Sequence, residues 1–390
     1  MRIGQITGEY PPMQGGVGAF TQELARALTA MGHELFVFTD HRAQRPDGPA
    51  PDDPAHVTAD AHFWGWGTLG RIRRWAQAQQ LDVVNIQYQA AAFQMAAFIH
   101  ILPMRLDNTR VVTTFHDLLV PYLFPKAGPL RYQAVLTLAR SSDGVIVTNR
   151  GDEQRLCTEK SIASLRHIPI GSNIKPTLAP DYNRSVWRAA LGFQPDDIVI
   201  GYFGFLNASK GVDTLLQALR IVRNNRLPAK LLMIGGRTGT SDPANIIYAR
   251  EIEALVEDLH LVDHIRWTGF VDSVAVSGHL TACDMVALPF RDGVSFRRGS
   301  LMAALAHGCP IITTHPQTEM PELVEDVHAR LIPPDSPTAL AIAIEDLAGN
   351  PNLRAAMGHN ARELSQRFTW ETIAAQTAAY YQELLDTPRR

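Results

Sequence analysis

Apolar and polar positions alternate with two different periods along the first half of the chain. Short apolar runs that are bounded by polar or turn residues predict β-strands. Such runs are Arg2–Thr7, Glu34–Thr39, Asp82–Tyr88, Arg110–Phe115 and Gly144–Thr148. Apolar residues also recur every three or four positions from 17 to 31, which predicts a helix that ends at Gly32. This alternation predicts a parallel sheet covered on both faces, with ligands bound at the carboxyl edge of its strands.

The same alternation returns in the second half, after a segment rich in proline, glycine and serine from Ile168 to Pro180. Strands are predicted at Ile198–Phe203, Lys230–Gly235, His264–Thr268, Met285–Leu288, Ile311–Thr314 and Ala329–Ile332. Helices are predicted at Val212–Arg223, Ala249–Leu259, Ser300–Ala306 and Thr338–Leu347. We therefore predict an α/β protein with two Rossmann-like, doubly wound domains, residues 1–172 and 173–368, that face each other across a cleft.

Composition and charge narrow the class of protein. The chain has 390 residues, of which 46% are apolar and 19% are charged, and this length suits two domains with cores of ordinary size. The formal net charge is −3, with acidic and basic residues interspersed, so we expect no nucleic-acid partner. The three cysteines are isolated in the sequence and are expected to be reduced thiols, which suggests the cytosol.

Two segments bear on a possible association with membranes. No apolar run follows Arg2, so the start of the chain is not expected to be a signal peptide. The apolar segment Ala90–Leu102 is shorter than a bilayer span and contains Gln94 and His100, so we predict a core helix there. The protein is therefore expected to be soluble and cytoplasmic, with at most peripheral membrane contact.

The loop Gly8–Gly18 lies between the first predicted strand and the first predicted helix. Gly15 and Gly16 allow the main chain to approach a ligand closely, and the helix dipole behind them favours an anion. An NAD-dependent oxidoreductase is an alternative, because Asp40 ends the second strand where an acid would meet a ribose. The third glycine of that fingerprint is replaced by Thr21, however, and the long loop with two prolines does not suit a tight pyrophosphate turn.

His116 directly follows a strand rich in valine and threonine, and it is therefore expected at the ligand-binding edge of the first sheet. A histidine there can hydrogen-bond a substrate hydroxyl or transfer a proton. The alternative is a loop histidine bonded to the main chain.

Two further segments of the first half carry apolar and basic side chains. The segment 118–130 is apolar and rich in proline, and Arg71, Arg73, Arg74 and Trp75 form a basic and aromatic cluster. Together they could contact a lipid-linked acceptor or the inner face of a membrane. The more ordinary interpretation is a partly buried loop and one solvated helix face.

The second predicted domain brings several phosphate-binding elements to the ends of its strands. Lys210 lies in the small-residue loop Gly204–Gly211, just before a helix, where an ammonium group suits a phosphate. Gly269 and Phe270 follow another strand and add open main chain at the same edge.

The segment Pro289–Pro310 links a buried strand to a further helix. Its loop contains Ser295, Arg297, Arg298 and Gly299. Ser300 is predicted to cap the helix, and Gly308 to end it. Guanidinium groups at a helix N-terminus favour a bound phosphate, and the alternative is a solvated loop that caps a core helix.

A series of short motifs follows a fixed order over nearly the whole chain. They are PPMQGGVG at 11–18, HD at 116–117, IPIGSNI at 168–174, GFLNASKG at 204–211, TGFV at 268–271, CDMVALPF at 283–290, ALAHGCPIITT at 304–314, PELVEDVHARLIPP at 321–334 and FTWETIAAQ beginning at 368. In this order and spread, the chain resembles the retaining glycosyltransferases of family 4, which have the GT-B fold. The resemblance implies that residues 369–390 form a helix that crosses back onto the first domain.

The resemblance also implies roles for the two domains. The second domain would bind a UDP- or GDP-linked sugar, and the first an acceptor that is a glycan, a lipid-linked molecule or a small molecule. Implied catalytic residues are His116, Lys210 and Arg297. Implied donor-binding residues are Gly15, Gly16, Lys210, Gly269, Phe270, Ser295, Arg297, Arg298, Gly299 and Ser300. No cofactor or metal is expected, and the resemblance leaves the oligomeric state open.

The chain departs from the family pattern at the donor loop. Two glutamates usually stand eight positions apart there, and the aligned residues are Ser295 and Ala303. The arginine that usually accompanies the lysine is Phe205. Arg297 and Arg298 could restore the positive charge, which predicts a variant active site. The alternative is a catalytically silent protein that binds nucleotide sugars on the same fold.

Overall fold

A computed structural model describes residues 1–13, 15–45, 53–106, 109–118, 120, 128, 130–172, 174–237 and 243–388. The chain divides into two compact units. Unit 1 comprises Met1–Gly171 together with Thr369–Arg390, and unit 2 comprises Ser172–Phe368. The domain limits predicted from the sequence differ from these by one residue at the linker.

Unit 1 is built on a parallel sheet of seven described strands. They are β1 (Arg2–Thr7), β2 (Glu34–Asp40), β3 (His56–Ala61), β4 (Val83–Tyr88), β5 (Arg110–Phe115), β6 (Gly144–Val147) and β7 (Leu165–His167). Their order across the sheet is β3-β2-β1-β4-β5-β6-β7. The order reverses beside β1, so the loops after β1 and β4 diverge there and leave room for a ligand at the carboxyl edge.

Unit 2 is built on a second parallel sheet, of six described strands. They are β8 (Ile198–Phe203), β9 (Ala229–Ile234), β10 (Ile265–Trp267), β11 (Met285–Leu288), β12 (Ile311–Thr314) and β13 (Arg330–Ile332). Their order is β10-β9-β8-β11-β12-β13, which repeats the reversal of unit 1 beside its own first strand. The two sheets confirm the predicted α/β fold with two doubly wound units.

Helices cover the faces of both sheets. In the described residues they are α1 (Gly16–Ala30), α2 (Trp66–Ala78), α3 (Leu130–Ser141), α4 (Arg150–Leu156), α5 (Arg184–Ala190), α6 (Val212–Asn224), α7 (Pro243–Asp258), α8 (Ser273–Ala282), α9 (Gly299–Ala306), α10 (Pro337–Gly349), α11 (Pro351–Ser365) and α12 (Trp370–Asp386). The C-terminal helix α12 packs beside α1 on one face of the unit 1 sheet, where the rings of Trp370 and Phe20 lie 5.2 Å apart. Its apolar stripe, buried at every turn, explains why it belongs to unit 1.

The strands predicted from the sequence are confirmed, each within one residue at either end. Strands β3 and β7 were not predicted, because β3 is half-exposed along most of its length and β7 has only three residues. The prediction of a core helix at Ala90–Leu102 is wrong. The main chain there turns at Gln94 and Met95, which have φ of 55° and 59°, and continues into a short 3-10 helix at Phe98–Ile101.

The prediction that Ser300 caps a helix is also wrong. Helix α9 begins at Gly299, and Arg298 occupies the N-cap position without a capping hydrogen bond from its side chain. Ser300 therefore lies within the first turn and is buried. The predicted end of this helix is confirmed, since it stops at Ala306 and Gly308 has the left-handed φ of 63° that favours glycine.

Candidate active site

Lys210 lies at the carboxyl edge of the unit 2 sheet, in the turn between β8 and α6. The side chain of Asn207 accepts a hydrogen bond from the main-chain N–H of Ser209, which closes this turn. Gly211 follows with φ of 64° and packs so tightly that a Cβ atom there would lie 2.1 Å from the carbonyl oxygen of Pro289. These contacts hold the turn, and the ammonium group of Lys210 lies against Gly204, where a Cβ atom would be 2.7 Å from Nζ.

The ammonium group of Lys210 is buried without a carboxylate. Within the described ranges, no ion pair or hydrogen bond satisfies Nζ. Burial lowers the pKa of Lys210 to about 8, and the positive charge of Arg298 lowers it further in the same direction. A buried cation with no counter-ion favours the binding of an anion, because the anion would supply the charge and the hydrogen bonds that are missing.

Arg298 supplies a second positive charge at this edge. Its guanidinium group lies 4.7 Å from the ring centre of Phe290 and pairs with the carboxylate of Asp292. The main-chain N–H of Arg298 donates to the carbonyl oxygen of Ser295 over 3.0 Å, so the loop turns directly into α9. Arg297 is exposed, and it is the charge of Arg298 that acts on Lys210.

The other residues of unit 2 that are predicted to bind the donor lie just after strand β10 and at the start of helix α9. Gly269 follows β10 with φ of 69° and pairs with Gly235, and the ring of Phe270 beside it is 78% exposed. An exposed aromatic ring offers a face on which a base can stack. Gly299 and Ser300 form the start of α9, with Gly299 exposed and Ser300 buried.

The positions at which a departure from the family pattern is predicted have different surroundings. Ala303 is completely buried on α9, whereas Ser295 is partly exposed in the loop. The side chain of Phe205 is 42% exposed. Arg298 is the cation that the loop brings toward Lys210.

In unit 1, the glycine-rich loop contains a carboxylate that the sequence analysis missed. One oxygen of Glu9 accepts hydrogen bonds from the main-chain N–H groups of Val17 and Gly18, over 2.9 and 3.2 Å. A Cβ atom on Gly15 would lie 2.1 Å from this carboxylate, whereas one on Gly16 would meet nothing within 4 Å. Glu9 therefore already occupies the anion position at the start of α1, and Gly16 is the open glycine. An acid shortly before a glycine-rich helix start is the signal that could have revealed it.

His116 lies just beyond the end of β5, partly buried beneath α1. Its ring meets that of Phe20 edge-on at 4.7 Å, and its Nε2 atom lies 3.0 Å from Oε1 of Gln87. Burial lowers the pKa of His116 to about 3, so the imidazole is neutral at physiological pH. A neutral imidazole can donate or accept one hydrogen bond to a substrate but carries no charge.

Asp40 does not have the surroundings that a dinucleotide site needs. Its carboxylate is completely buried and accepts hydrogen bonds from the main chain and the guanidinium group of Arg42, at 2.9 to 3.1 Å. The side-chain amide of Gln94 donates to it as well, over 2.8 Å. Burial raises the pKa of Asp40, but the hydrogen bonds and positive charge of Arg42 outweigh it and hold the pKa below its usual value. The carboxylate is thus fully engaged and is not available to a ribose.

The basic and aromatic cluster on α2 is only partly as predicted. Trp75 is buried, and Arg71 pairs with Asp60 at 3.0 Å, while Arg73 and Arg74 are exposed. The segment 118–130 lies largely outside the described residues.

Exposed apolar side chains gather at the start of α2 instead. Phe63 is 66% exposed, Trp66 55% and Met104 56%. The guanidinium group of Arg105 lies 4.9 Å from the ring centre of Trp66. We call this group the α2 patch, defined as Phe63, Trp66, Met104 and Arg105. No helix in the described part of the chain is long and apolar enough to span a bilayer.

Comparison with known proteins places two family domains in succession on this chain. The model described as "Glycosyltransferase Family 4" matches residues 14–200, and the model described as "Glycosyl transferases group 1" matches residues 197–350. The chain is 26% identical to a D-inositol 3-phosphate glycosyltransferase of Jonesia denitrificans, over 94% of this chain and 91% of the relative. It is 25% identical to a phosphatidyl-myo-inositol mannosyltransferase of Mycolicibacterium smegmatis, over 98% and 94%.

Solved structures share the fold over the whole length. A sucrose-phosphate synthase from Thermosynechococcus elongatus superposes with a TM-score of 0.75 at 22% identity, over 98% of this chain and 99% of that one. The Anabaena protein HepE, solved with UDP and glucose, superposes with a TM-score of 0.75 at 20% identity, over 98% and 99%. The chain is therefore a glycosyltransferase with the GT-B fold. It carries a family 4 domain followed by a group 1 domain.

Proposed function

We propose that this glycosyltransferase is a retaining enzyme that transfers a hexosyl group from a UDP- or GDP-linked sugar. In this proposal unit 2 binds the donor at the carboxyl edge of its sheet, and unit 1 binds the acceptor. The observation that carries the proposal is the buried ammonium group of Lys210, which has no carboxylate in the described residues and lies within the influence of a second cation, Arg298.

The chemistry follows from the charge that develops on the donor. When the bond between the sugar and the diphosphate breaks, negative charge accumulates on the leaving diphosphate and positive charge on the sugar ring. Lys210 and Arg298, with the main-chain N–H groups at the start of α9, would stabilise the leaving group. No metal ion is required in this proposal. The acceptor hydroxyl would attack the same face that the diphosphate leaves, through an oxocarbenium-like state, and would give its proton to the leaving diphosphate.

His116, Arg297 and Gly16 have narrower roles in the proposal. The neutral imidazole of His116 would hydrogen-bond a hydroxyl of the transferred sugar. Gly16, whose surroundings are open, would allow close approach of the diphosphate, while the lack of a side chain at Gly15 leaves room for the carboxylate of Glu9. Arg297 would contact the donor from the exposed side of the loop.

The acceptor that we propose is an inositol phosphate, either free or carried by a lipid. Relatives that match nearly the whole chain are named as inositol phosphate and phosphatidylinositol glycosyltransferases. The α2 patch supports the lipid-borne form, because exposed aromatic rings beside arginines suit the interface of an anionic membrane. In this form the enzyme would act while bound peripherally at the inner face of the membrane.

Calorimetry with UDP and GDP tests the donor site. We expect one of them to bind the purified protein, and Lys210→Ala to weaken it by about 1–3 kcal/mol, the cost of losing a charged hydrogen bond. Lys230→Ala is the matched control, because Lys230 lies at the start of β9, at the opposite edge of the same sheet, and donates to the carbonyl oxygen of Asp263. Equal affinity in Lys210→Ala and wild type would contradict the placement of the donor.

Activity distinguishes an enzyme with this variant loop from a silent one. The protein is incubated with UDP-glucose or GDP-mannose and with D-inositol 3-phosphate or phosphatidylinositol vesicles, and the product is analysed by NMR. We expect an α-linked product that retains the donor configuration. Tight nucleotide binding without transfer or donor hydrolysis would favour the silent alternative, and an inverted product would rule out retention.

A further inference from the structure

A second concave site lies at the amino edge of the unit 2 sheet, away from Lys210. Its cavity of about 530 Å³ is lined by Cys283 and Asp284, which directly precede β11, and by Pro310, which directly precedes β12. The strands are parallel, and Lys210 follows the carboxyl end of β8. A strand of four residues separates the two edges by about 13 Å, so this cavity is distinct from the candidate donor site.

The cavity walls are rich in arginine. Arg184, Arg354, Arg362 and His359 line it, and Asp284 is the one acidic residue among the lining residues. The negative charge of Asp284 is already neutralised, because Arg184 pairs with its carboxylate at 2.8 Å and Arg188 pairs with it at 3.2 Å. One carboxylate is thus shared by two guanidinium groups, and the surplus charge of the cavity is positive.

Arg354 and Arg362 have no acidic partner in the described part of the chain. Arg354 donates to the carbonyl oxygens of Leu347 and Ala348, at the end of α10, and Arg362 donates to that of His307, just beyond α9, over 3.1 Å. These bonds cap helix ends, which is a structural role for part of each side chain. A guanidinium group has five N–H donors, however, and main-chain carbonyls do not cancel its unit charge.

The main chain beneath the arginines is tightly packed. A Cβ atom on Gly358 would lie 2.4 Å from the carbonyl oxygen of Gly308, and one on Gly308 would lie 3.1 Å from Nε of Arg362. Helix α11 therefore contacts the end of α9 directly and fixes the guanidinium of Arg362 at the cavity wall. Positive groups held in advance lose little freedom when an anion binds.

We propose that this cavity is a second anion site, which binds the phosphate group of a small phosphomonoester through Arg184, Arg354 and Arg362. Guanidinium groups form paired hydrogen bonds with phosphate oxygens, and the volume accommodates a phosphate with a small organic group attached. The site is independent of nucleotide binding at Lys210.

Site-resolved chemical labelling of the wild-type protein tests the proposal without any variant. Phenylglyoxal modifies accessible arginines, and mass spectrometry identifies each one. We expect inorganic phosphate and glycerol 3-phosphate at 10 mM to protect Arg354 and Arg362, relative to sodium chloride at the same ionic strength. Arg330, which is paired with Asp326 and Asp346, is the internal control. Equal labelling in phosphate and chloride would overturn the proposal.

Calorimetry of variants provides the second measurement. We expect Arg354→Gln with Arg362→Gln to reduce the affinity for glycerol 3-phosphate at least tenfold, and Lys210→Ala to leave it unchanged. Arg354→Lys with Arg362→Lys is the control variant, because lysine keeps the positive charge and some of the capping hydrogen bonds. Thermal melting of both double variants separates a loss of binding from a loss of folding. If Lys210→Ala abolishes the binding and the glutamine variant retains it, the ligand occupies the donor site and the proposal is wrong.

Discussion

The carboxylate of Glu9 accepts a 2.9 Å hydrogen bond from the main-chain N–H of Val17, the second residue of α1. The same oxygen accepts from Gly18, so the positive end of this helix is matched by an anion of the chain itself. A donor phosphate would find these two N–H groups already in use. In the proposed donor site, the positive charge would therefore come from Lys210 and Arg298 in unit 2.

Substitution by alanine is predicted to destabilise the protein at Gly15 and not at Gly16. In Gly15→Ala the added Cβ would displace the carboxylate of Glu9, and we expect the free energy of unfolding to fall by about 0.5–2 kcal/mol, as for a lost helix cap. Gly16→Ala is the matched control, since its Cβ meets nothing within 4 Å and the first helical turn accepts alanine. Urea unfolding measures both. Equal loss of stability in the two variants would contradict the role of Glu9.

Arg291 is predicted to position Lys210. Its main-chain N–H donates to the carbonyl oxygen of Ser209 over 2.9 Å, and its guanidinium bonds Asp213, Asp335 and the carbonyl oxygen of Ala208. Arg291→Ala should release the turn before α6 and weaken nucleotide binding about fivefold, the equivalent of one ordinary hydrogen bond of about 1 kcal/mol.

A double-mutant cycle separates positioning from a general loss of stability. If Arg291 acts through Lys210, then Arg291→Ala should have little further effect on nucleotide affinity in the Lys210→Ala protein. Arg330→Ala is the matched control, because Arg330 also bonds two aspartates, Asp326 and Asp346, in the same unit. Additive losses from Arg291 and Lys210 would show that Arg291 acts in another way.

Nucleotide affinity is predicted to depend on pH through Lys210. Burial lowers the pKa of this ammonium group to about 8, and a bound diphosphate would raise it again because it favours the charged form. Binding is then strongest below pH 8 and weakens as the pH rises through 8, to about tenfold weaker at pH 9 than at pH 7. Calorimetry in two buffers of different ionisation enthalpy would detect the proton uptake. Lys210→Arg should flatten the profile.

His116 is predicted to remain neutral throughout the physiological range. Its pKa is about 3 because the ring is buried, so its NMR signals should not titrate between pH 5 and pH 9. Gln87→Glu would place a carboxylate where the amide oxygen lies 3.0 Å from Nε2, and should raise the pKa of His116 by favouring the charged form. The assignment is made with His116→Gln. A wild-type midpoint near 6.5 would show that the ring is solvated.

Glutamate is predicted to be tolerated at Ser295 and to destabilise the protein at Ala303. Ala303→Glu would bury a carboxylate at a completely buried position on α9, and we expect a loss of about 3–5 kcal/mol in the free energy of unfolding. Ser295→Glu, at the partly exposed position in the loop, should change it by less than about 1 kcal/mol. Urea unfolding of both variants checks this. A stable Ala303→Glu protein would mean that the packing around α9 can rearrange to accommodate a carboxylate.

The sequence predicted the strands well because their burial is nearly complete. In β11 every residue is buried and apolar, so an uninterrupted apolar run marks both ends of the strand, whereas the equally buried strand β4 also contains Asn85 and Gln87. The same signal failed at Ala90–Leu102, where apolar residues also follow one another. A run of apolar residues indicates that a segment is buried but does not specify the conformation of its main chain. The left-handed turn at Gln94 and Met95 contains no glycine, so the sequence carries no turn signal there.

The sequence by itself determined the alternation of strands and helices, the boundary at the linker and the loops that carry Lys210 and His116. These features depend on local periodicity and on residues near one another along the chain. Only the tertiary structure decided that Glu9 occupies the start of α1, that Asp40 is fully engaged, and that Arg298 is the cation acting on Lys210. Each of these features depends on contacts that side chains from separate elements make in space, and on the burial that these contacts produce. Neither can be read from the order of the residues.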